Sequence, residues 1–164
     1  MADESQNNGA NGPEADAPPL TIATQYIKDY SFEAPSSPGI FNQANETEPN
    51  LEISCDIEAN PLEAGVFEVV LVLRTNCKIG EQIAFVQELE YAGVFILNVP
   101  QEHLQPVLLV ECPRLLFPFA RNIICDGARD GGFPPILLNY MDFASMYEEQ
   151  LASHAEAPSS PLIT

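Results

Sequence analysis

The stretch VFEVVLVLRTNCKIGEQIAFVQELEYAGVFILNV, residues 66–99, decides the fold of this chain. It holds three β-rich runs, at about 66–76, 82–91 and 93–99, which are joined by turns that contain glycine. In the first run, apolar side chains point to both faces, and only Glu68 and Arg74 make the second face polar. A strand that is apolar on both faces must be covered on both, and one small chain supplies helices for one face. We therefore expect another subunit or a bound client to cover the second face.

A further strand lies upstream of this stretch. The segment NLEISCDIE (50–58) alternates cleanly between apolar and polar residues, which predicts a half-buried strand. Its apolar face consists of Leu51, Ile53, Cys55 and Ile57. Segment 20–33 alternates less regularly and is also β-like, whereas 59–65 is expected to be a turn. Successive strands with short connections are typical of antiparallel pairing.

Downstream of Glu102 the apolar residues recur at helical spacing as far as Gly131-Gly132. Three prolines interrupt this pattern: Pro106, Pro113 and Pro118. Each proline removes a backbone donor and tends to kink or end a helix, so we expect one long kinked helix or two consecutive helices. Strands followed by helices indicate the α+β class.

The C-terminal part is expected to contain a loop and a last helix. The segment FPPILLN (133–139) is a proline-bounded, apolar loop that has to pack on something, and 141–154 predicts an amphipathic helix with Asp142 as its N-cap. Residues 1–19 and 155–164 lack apolar periodicity and are expected to be a disordered acidic arm and a disordered tail. The folded domain is then residues 20–154.

The charge of the chain restricts its partners. The 164 residues include 24 acidic and 6 basic side chains, for a formal net charge of -18. Binding to nucleic acid or to anionic membranes needs lysine and arginine, so both are disfavoured, and basic partners are favoured. A simpler interpretation is that the acidity only keeps the protein soluble. No secretory signal and no run of ~18 apolar residues is found, so a cytoplasmic protein is expected.

The sequence contains no clear catalytic or cofactor-binding motif. Gly131-Gly132 is not followed by the Lys-Ser/Thr of a phosphate loop, and the cysteines Cys55, Cys77, Cys112 and Cys125 form no C-x-x-C pair. Neither His103 nor His154 lies at metal-ligand spacing from them, so no metal or cofactor is predicted. Glu88 and Glu90 share one strand face, which is either a solvated sheet face or an acidic docking strip.

Three segments resemble the bacterial protein-export chaperone family SecB. They are KDYSFEAPSSPGIF (28–41), GEQIAFVQELEYAGVF (80–95) and CPRLLFPFARNIICDGARDGGFPPILLNYMDF (112–143), and the resemblance covers roughly residues 20–153. It implies a four-stranded antiparallel sheet backed by a long kinked helix and a short C-terminal helix, in a homotetramer that is a dimer of dimers. It also implies an ATP-independent chaperone that binds unfolded preproteins and passes them to the motor ATPase SecA.

The resemblance assigns roles to individual positions. The motor-docking surface is expected at Asp29, Glu33, Val86 and Glu88. Tetramer assembly is expected to depend on the opposite strand face, at Gln87, Leu89 and Tyr91. The client groove is expected at Leu51, Ile53, Cys55, Phe143, Tyr147 and Leu151, for which the alternative is an ordinary core. The chain departs from the family at Cys55, where a bulkier aliphatic residue is common, and in the acidic pair Glu148 and Glu149.

Two other functions stay open at this stage. A small cytosolic enzyme would use Cys112, with His103, or a pair of carboxylates, and an oligomeric scaffold would have no affinity for unfolded chains. A holdase acts at a stoichiometric ratio to its client and keeps its activity when thiols are alkylated, whereas a cysteine enzyme does not. The strongly acidic charge and the absence of a clear catalytic constellation together favour an oligomeric binding protein over an enzyme.

Overall fold

The computed structural model describes residues 17–156, so most of the predicted arm and tail lies outside the described residues. The strands are β1 (Leu20–Glu33), β2 (Pro49–Glu63), β3 (Val66–Ile79) and β4 (Gln82–Leu97). The helices are α1 (Ile40–Gln43), α2 (Gln101–Pro106), a π-helical turn (Val107–Glu111), α3 (Cys112–Asp130) and α4 (Phe143–Ala155). The strands form one antiparallel sheet in the order β1-β4-β3-β2, which confirms the expected fold class.

Two predicted breaks in the sheet were wrong. Residues 82–97 form one continuous strand, because Gly93 serves close packing and not a turn: a Cβ there would lie 2.9 Å from the Phe95 ring and 3.0 Å from Leu116 Cδ2. The predicted turn at 59–65 is shorter, because β2 continues to Glu63. Pro61 is tolerated there since β2 is an edge strand, where a missing backbone donor costs little.

The long kinked helix is confirmed as one run from Gln101 to Asp130. Pro106 is the last residue of α2, and the π-helical turn that follows it separates α2 from α3. The run ends at the glycine pair, where Gly132 has a φ of 91° that favours glycine. No helix among residues 17–156 is long and apolar enough to span a membrane.

All the helices that pack on the sheet cover the same face, which we call the covered face. Its core contains large, fully buried side chains such as Leu71, Leu89, Phe95, Leu116 and Ile124. The alternating residues of each strand lie on the other side, which we call the open face. Among the described residues no helix packs on the open face.

The expectation that another subunit or a bound client covers the open face was wrong at the centre of that face. Val70, Val72 and Ala92 are at most 1% exposed in the single chain, because Tyr26 packs against them. The Tyr26 hydroxyl crosses the small Ala92 and donates a hydrogen bond to Glu68. The apolar positions are therefore buried by a longer side chain of the same face.

Glu68 is held by three donors, and its pKa lies below the usual range because Lys28 and then Tyr26 bind its carboxylate. Lys28 Nζ lies 2.7 Å from Oε1. A lowered folded pKa stabilises the fold above the unfolded value, near pH 4.3, and this contribution is lost as pH falls through the folded pKa. We expect Glu68→Gln to cost about 1–2 kcal/mol of unfolding free energy at pH 7 and less at pH 3.

Denaturant titrations at fixed chain concentration across pH 3–7 measure this difference. Glu63→Gln is the matched control, since Glu63 is exposed and makes no ion pair within residues 17–156. An equal cost of Glu68→Gln at pH 3 and pH 7 would contradict the assignment.

Candidate functional site

The four expected docking residues lie together on the open face. In the register of β1 and β4, Glu33 pairs with Val86, Ser31 with Glu88, and Asp29 with Glu90. Paired residues share a face, so the structure brings Asp29, Glu33, Val86 and Glu88 onto one surface of two adjacent strands. Their role in docking stays a prediction.

This surface is strongly acidic, and we call it the acidic face. Strand alternation places carboxylates of this face on all four strands: Asp29, Glu33, Glu52, Asp56, Glu58, Glu68, Glu88 and Glu90. Among its cations, Lys28 is bound to Glu68, and Arg74 is bound to Glu88 and Asp56. These carboxylates raise the pKa of Arg74, so it stays charged. The surplus of negative charge suits a partner that presents basic side chains.

Two clefts flank α4 on the covered side. One has a volume of about 560 Å³ and separates α4 from β2, and the other, of about 600 Å³, separates α4 from residues 103–111. Tyr147 lines both clefts, Cys55 lines the first and Leu151 lines the second. Asp142 caps α4 as predicted, since its carboxylate accepts a bond from Ser145 N at 3.1 Å. Three of the six expected groove residues therefore lie along these clefts.

The other three expected groove residues lie elsewhere. Phe143 is 1% exposed and packs edge-to-face on Phe117 at 5.9 Å between ring centroids, so it anchors α4 in the core. Ile53 is 41% exposed and lines a depression beside Arg74. Leu51 lines a third cavity. Strand alternation identified residues that share a face, but it did not show which elements pack against that face.

The third cavity was missed by sequence reasoning. It has a volume of about 360 Å³, lies between β2 and the 133–137 segment, and is largely apolar. Phe133 is its aromatic centre, with ring centroids 4.8 Å from Phe85 and 5.1 Å from Phe41. Leu137 at its border is 72% exposed. The only signal was the apolar loop FPPILLN, which had been expected to pack on something.

The expected assembly residues lie on the covered face. Gln87 is fully buried, accepts a bond from Tyr30 Oη at 2.8 Å and donates one to Ile124 O at 3.2 Å. Leu89 belongs to the core, and Tyr91 stacks on Phe119 at 6.2 Å between centroids. Direct contact between these three and another subunit is blocked by the helix, so any effect on assembly is indirect.

Cys55 and Cys112 do not resemble nucleophiles. Cys112 is fully buried, and burial raises its pKa to about 12, as it does for Cys55. A thiol that stays protonated at neutral pH is a poor nucleophile and metal ligand. Within residues 17–156 no cluster of histidine, cysteine and carboxylate side chains is suited to a metal ion.

The chain is similar in sequence to a family of known proteins. A family model described as preprotein translocase subunit SecB matches residues 13–154. The protein-export protein SecB of Bradyrhizobium sp. is 46% identical over 156 residues, which cover 94% of this chain and 96% of that relative. The Agrobacterium fabrum protein-export protein SecB is 49% identical over 146 residues, or 88% of this chain and 89% of the relative.

The fold is also similar to that of a solved structure. This is the SecB-like chaperone Rv1957 of Mycobacterium tuberculosis, solved in complex with a ChAD peptide from the HigA1 antitoxin. The TM-score is 0.64 over 74% of this chain and 90% of that chain. Because the sequence identity is 14%, this likeness shows the fold alone.

Proposed function

This chain belongs to the SecB family of preprotein-export chaperones, and we propose that it holds unfolded preproteins without ATP and delivers them to the motor ATPase SecA. One observation supports separate binding sites for the client and the motor. The two clefts along α4 open on the covered side of the sheet, one of them with a mixed polar and apolar lining, and the acidic face lies on the opposite side. A client and a motor therefore have separate surfaces on one subunit.

Client binding follows from the chemistry of the clefts. Unfolded segments expose apolar side chains, and each Å² of apolar surface buried contributes about 25 cal/mol. Tyr147 offers an aromatic ring to both clefts, while Glu149 lines one and Glu148 the other. This combination favours extended segments that carry both apolar and basic residues. Several such sites on one oligomer bind a long client by avidity, without a nucleotide.

We propose a homotetramer, a dimer of dimers, in which the long helix supplies part of the contact. Leu115 and Phe119 project from α3 and are 40% and 52% exposed in the single chain. Tyr91 supports Phe119 by stacking beneath it. Apolar side chains that share a helix face are typical of a subunit contact. Tyr91 then affects assembly through Phe119.

We place the protein in the cytoplasm, where preproteins are made and where SecA collects them. A holdase needs no catalytic residue and no cofactor, which is consistent with the raised pKa values of the Cys55 and Cys112 thiols. Release of the client is proposed to come from handover to the motor and not from hydrolysis by this chain.

The proposed client site is tested by Tyr147→Ala. We expect this change to weaken binding of an unfolded preprotein about tenfold, because it removes an aromatic surface from both clefts. Fluorescence anisotropy of a labelled, non-folding preprotein without nucleotide measures the affinity. Leu62→Ala is the control, since Leu62 is 57% exposed and lines neither cleft. Equal affinities for Tyr147→Ala and the wild type would refute the assignment of the clefts.

A further inference from the structure

Arg74 lies at the centre of the acidic face and joins three strands. Its Nη1 is 2.9 Å from Asp56 Oδ2 on β2, and its Nε is 3.1 Å from Glu88 Oε1 on β4. The Arg74 guanidinium thus already donates a hydrogen bond to the carboxylate of Glu88, where a basic side chain of the partner is proposed to bind. The acidic face already contains a cation of the kind that a partner would present.

The bonds that Arg74 makes are suited to exchange. The side chains of Arg74, Asp56 and Glu88 are 47%, 67% and 43% exposed. Exposed ion pairs contribute little to stability, because water and salt screen them, so an incoming cation displaces Arg74 at little cost to the fold. The guanidinium still repels that cation for as long as it stays beside Glu88.

A depression beside Arg74 has room for a partner side chain. Its volume is about 440 Å³, and its lining includes Glu52, Arg74, Asn76 and Val86. Val86 offers an apolar wall to the alkyl stem of a lysine or arginine, and Glu52 offers a second carboxylate to its charged head. Among the described residues, Asn76 Oδ1 is buried without a hydrogen-bond partner.

Resting on the proposed docking of a motor ATPase, we propose that Arg74 competes with a basic side chain of the partner for Glu88. The depression beside Arg74 receives that side chain. Arg74 therefore lowers the affinity of the acidic face and makes docking readily reversible. A chaperone that must leave the motor after each delivery benefits from such a competitor.

The matched control for this role is Lys78. It lies on the same strand, and alternation places it on the same face, but it makes no ion pair within residues 17–156. Arg74→Gln and Lys78→Gln remove the same charge, and only the first frees Glu88 and Asp56. A difference between the two variants therefore isolates the local effect from the change in net charge.

The experiment is isothermal titration of purified SecA, the probe, into the full-length chain at low and high salt. We expect Arg74→Gln to tighten binding about threefold to tenfold at low salt and less at high salt, and Lys78→Gln to change it less than twofold. The tightening should disappear in the double variant Arg74→Gln/Glu88→Gln. Client binding and thermal unfolding should match the wild type.

Four results would overturn the proposal, and they separate a failure of the role of Arg74 from a failure of docking itself. Equal effects of Arg74→Gln and Lys78→Gln would reduce the role of Arg74 to net charge. Weaker binding by Arg74→Gln would make Arg74 a contact of the partner and not its competitor. No binding of SecA by the wild type, or no effect of Glu88→Gln, would overturn the docking proposal itself and the role of Arg74 with it.

Discussion

Replacing Glu88 with lysine is expected to weaken binding of the motor ATPase by about a hundredfold while client binding survives. The change reverses the charge at the centre of the acidic face and places a second cation beside Arg74, whose Nε lies 3.1 Å from the present carboxylate. Like charges at an interface cost several kcal/mol, and about 2.7 kcal/mol corresponds to a hundredfold change in affinity. The clefts along α4 lie on the other side of the sheet, so they keep their shape.

Titration calorimetry with SecA and anisotropy with an unfolded preprotein measure the two affinities of this variant. Glu58→Lys is a matched control, because it makes the same charge change on the same face, on the edge strand β2. We expect it to weaken motor binding by less than tenfold. Equal losses of motor and client binding in Glu88→Lys would contradict the separation of the two surfaces.

Replacing Gly127 with alanine is expected to destabilise the fold by about 2–4 kcal/mol. In a helix interior this substitution ordinarily stabilises by about 1 kcal/mol, so the packing around Gly127 decides the sign. A Cβ there would lie within 3.0 Å of both Tyr30 Oη and Gln87 Oε1. Real Cβ atoms essentially never make contacts this short, so the neighbouring groups would have to move. Overpacking costs about 1–3 kcal/mol, and loss of the partly buried Tyr30–Gln87 bond adds about 1–3 kcal/mol, so after the gain of about 1 kcal/mol the net cost centres on about 3 kcal/mol.

Thermal and denaturant unfolding at fixed chain concentration measure the effect. Gly39→Ala is the control, because Gly39 has a helical φ of -58° and its nearest atom to a new Cβ is Ser36 O at 3.7 Å. We expect the control to be neutral within about 0.5 kcal/mol. An unchanged or raised stability of Gly127→Ala would show that α3 does not lie on Gln87 as described.

The regular parts of the fold could be predicted because their periodicity is local. Alternation identified the strand around residues 50–58, and Pro106 marked the position of the π-helical turn, whereas Pro113 and Pro118 lie within an unbroken α3. Gly93 led to a wrong prediction of a turn at this position. A glycine inside a strand also occurs where another side chain packs closely, and here that side chain is Leu116. That contact joins residues far apart in sequence, which periodicity cannot report.

The candidate site could be predicted only in part, because local patterns show which residues share a face but not which distant residues contact them. Alternation and family resemblance placed Glu88 with Val86 on one face, and the register confirmed that β1 adds Glu33 to it. No local pattern indicates that Arg74 bonds to Glu88 across a strand boundary. Likewise, the apolar stripe of α4 did not distinguish Phe143, which is buried, from Tyr147, which lines two clefts.

The most direct test of the central claim is suppression of aggregation. An aggregation-prone unfolded preprotein is diluted from denaturant, with and without this protein, and light scattering is recorded in the absence of nucleotide. We expect scattering to be suppressed and the suppression to saturate near one tetramer per client, before and after alkylation of accessible thiols. Undiminished scattering in the presence of a sample shown to be folded and tetrameric would contradict this expectation.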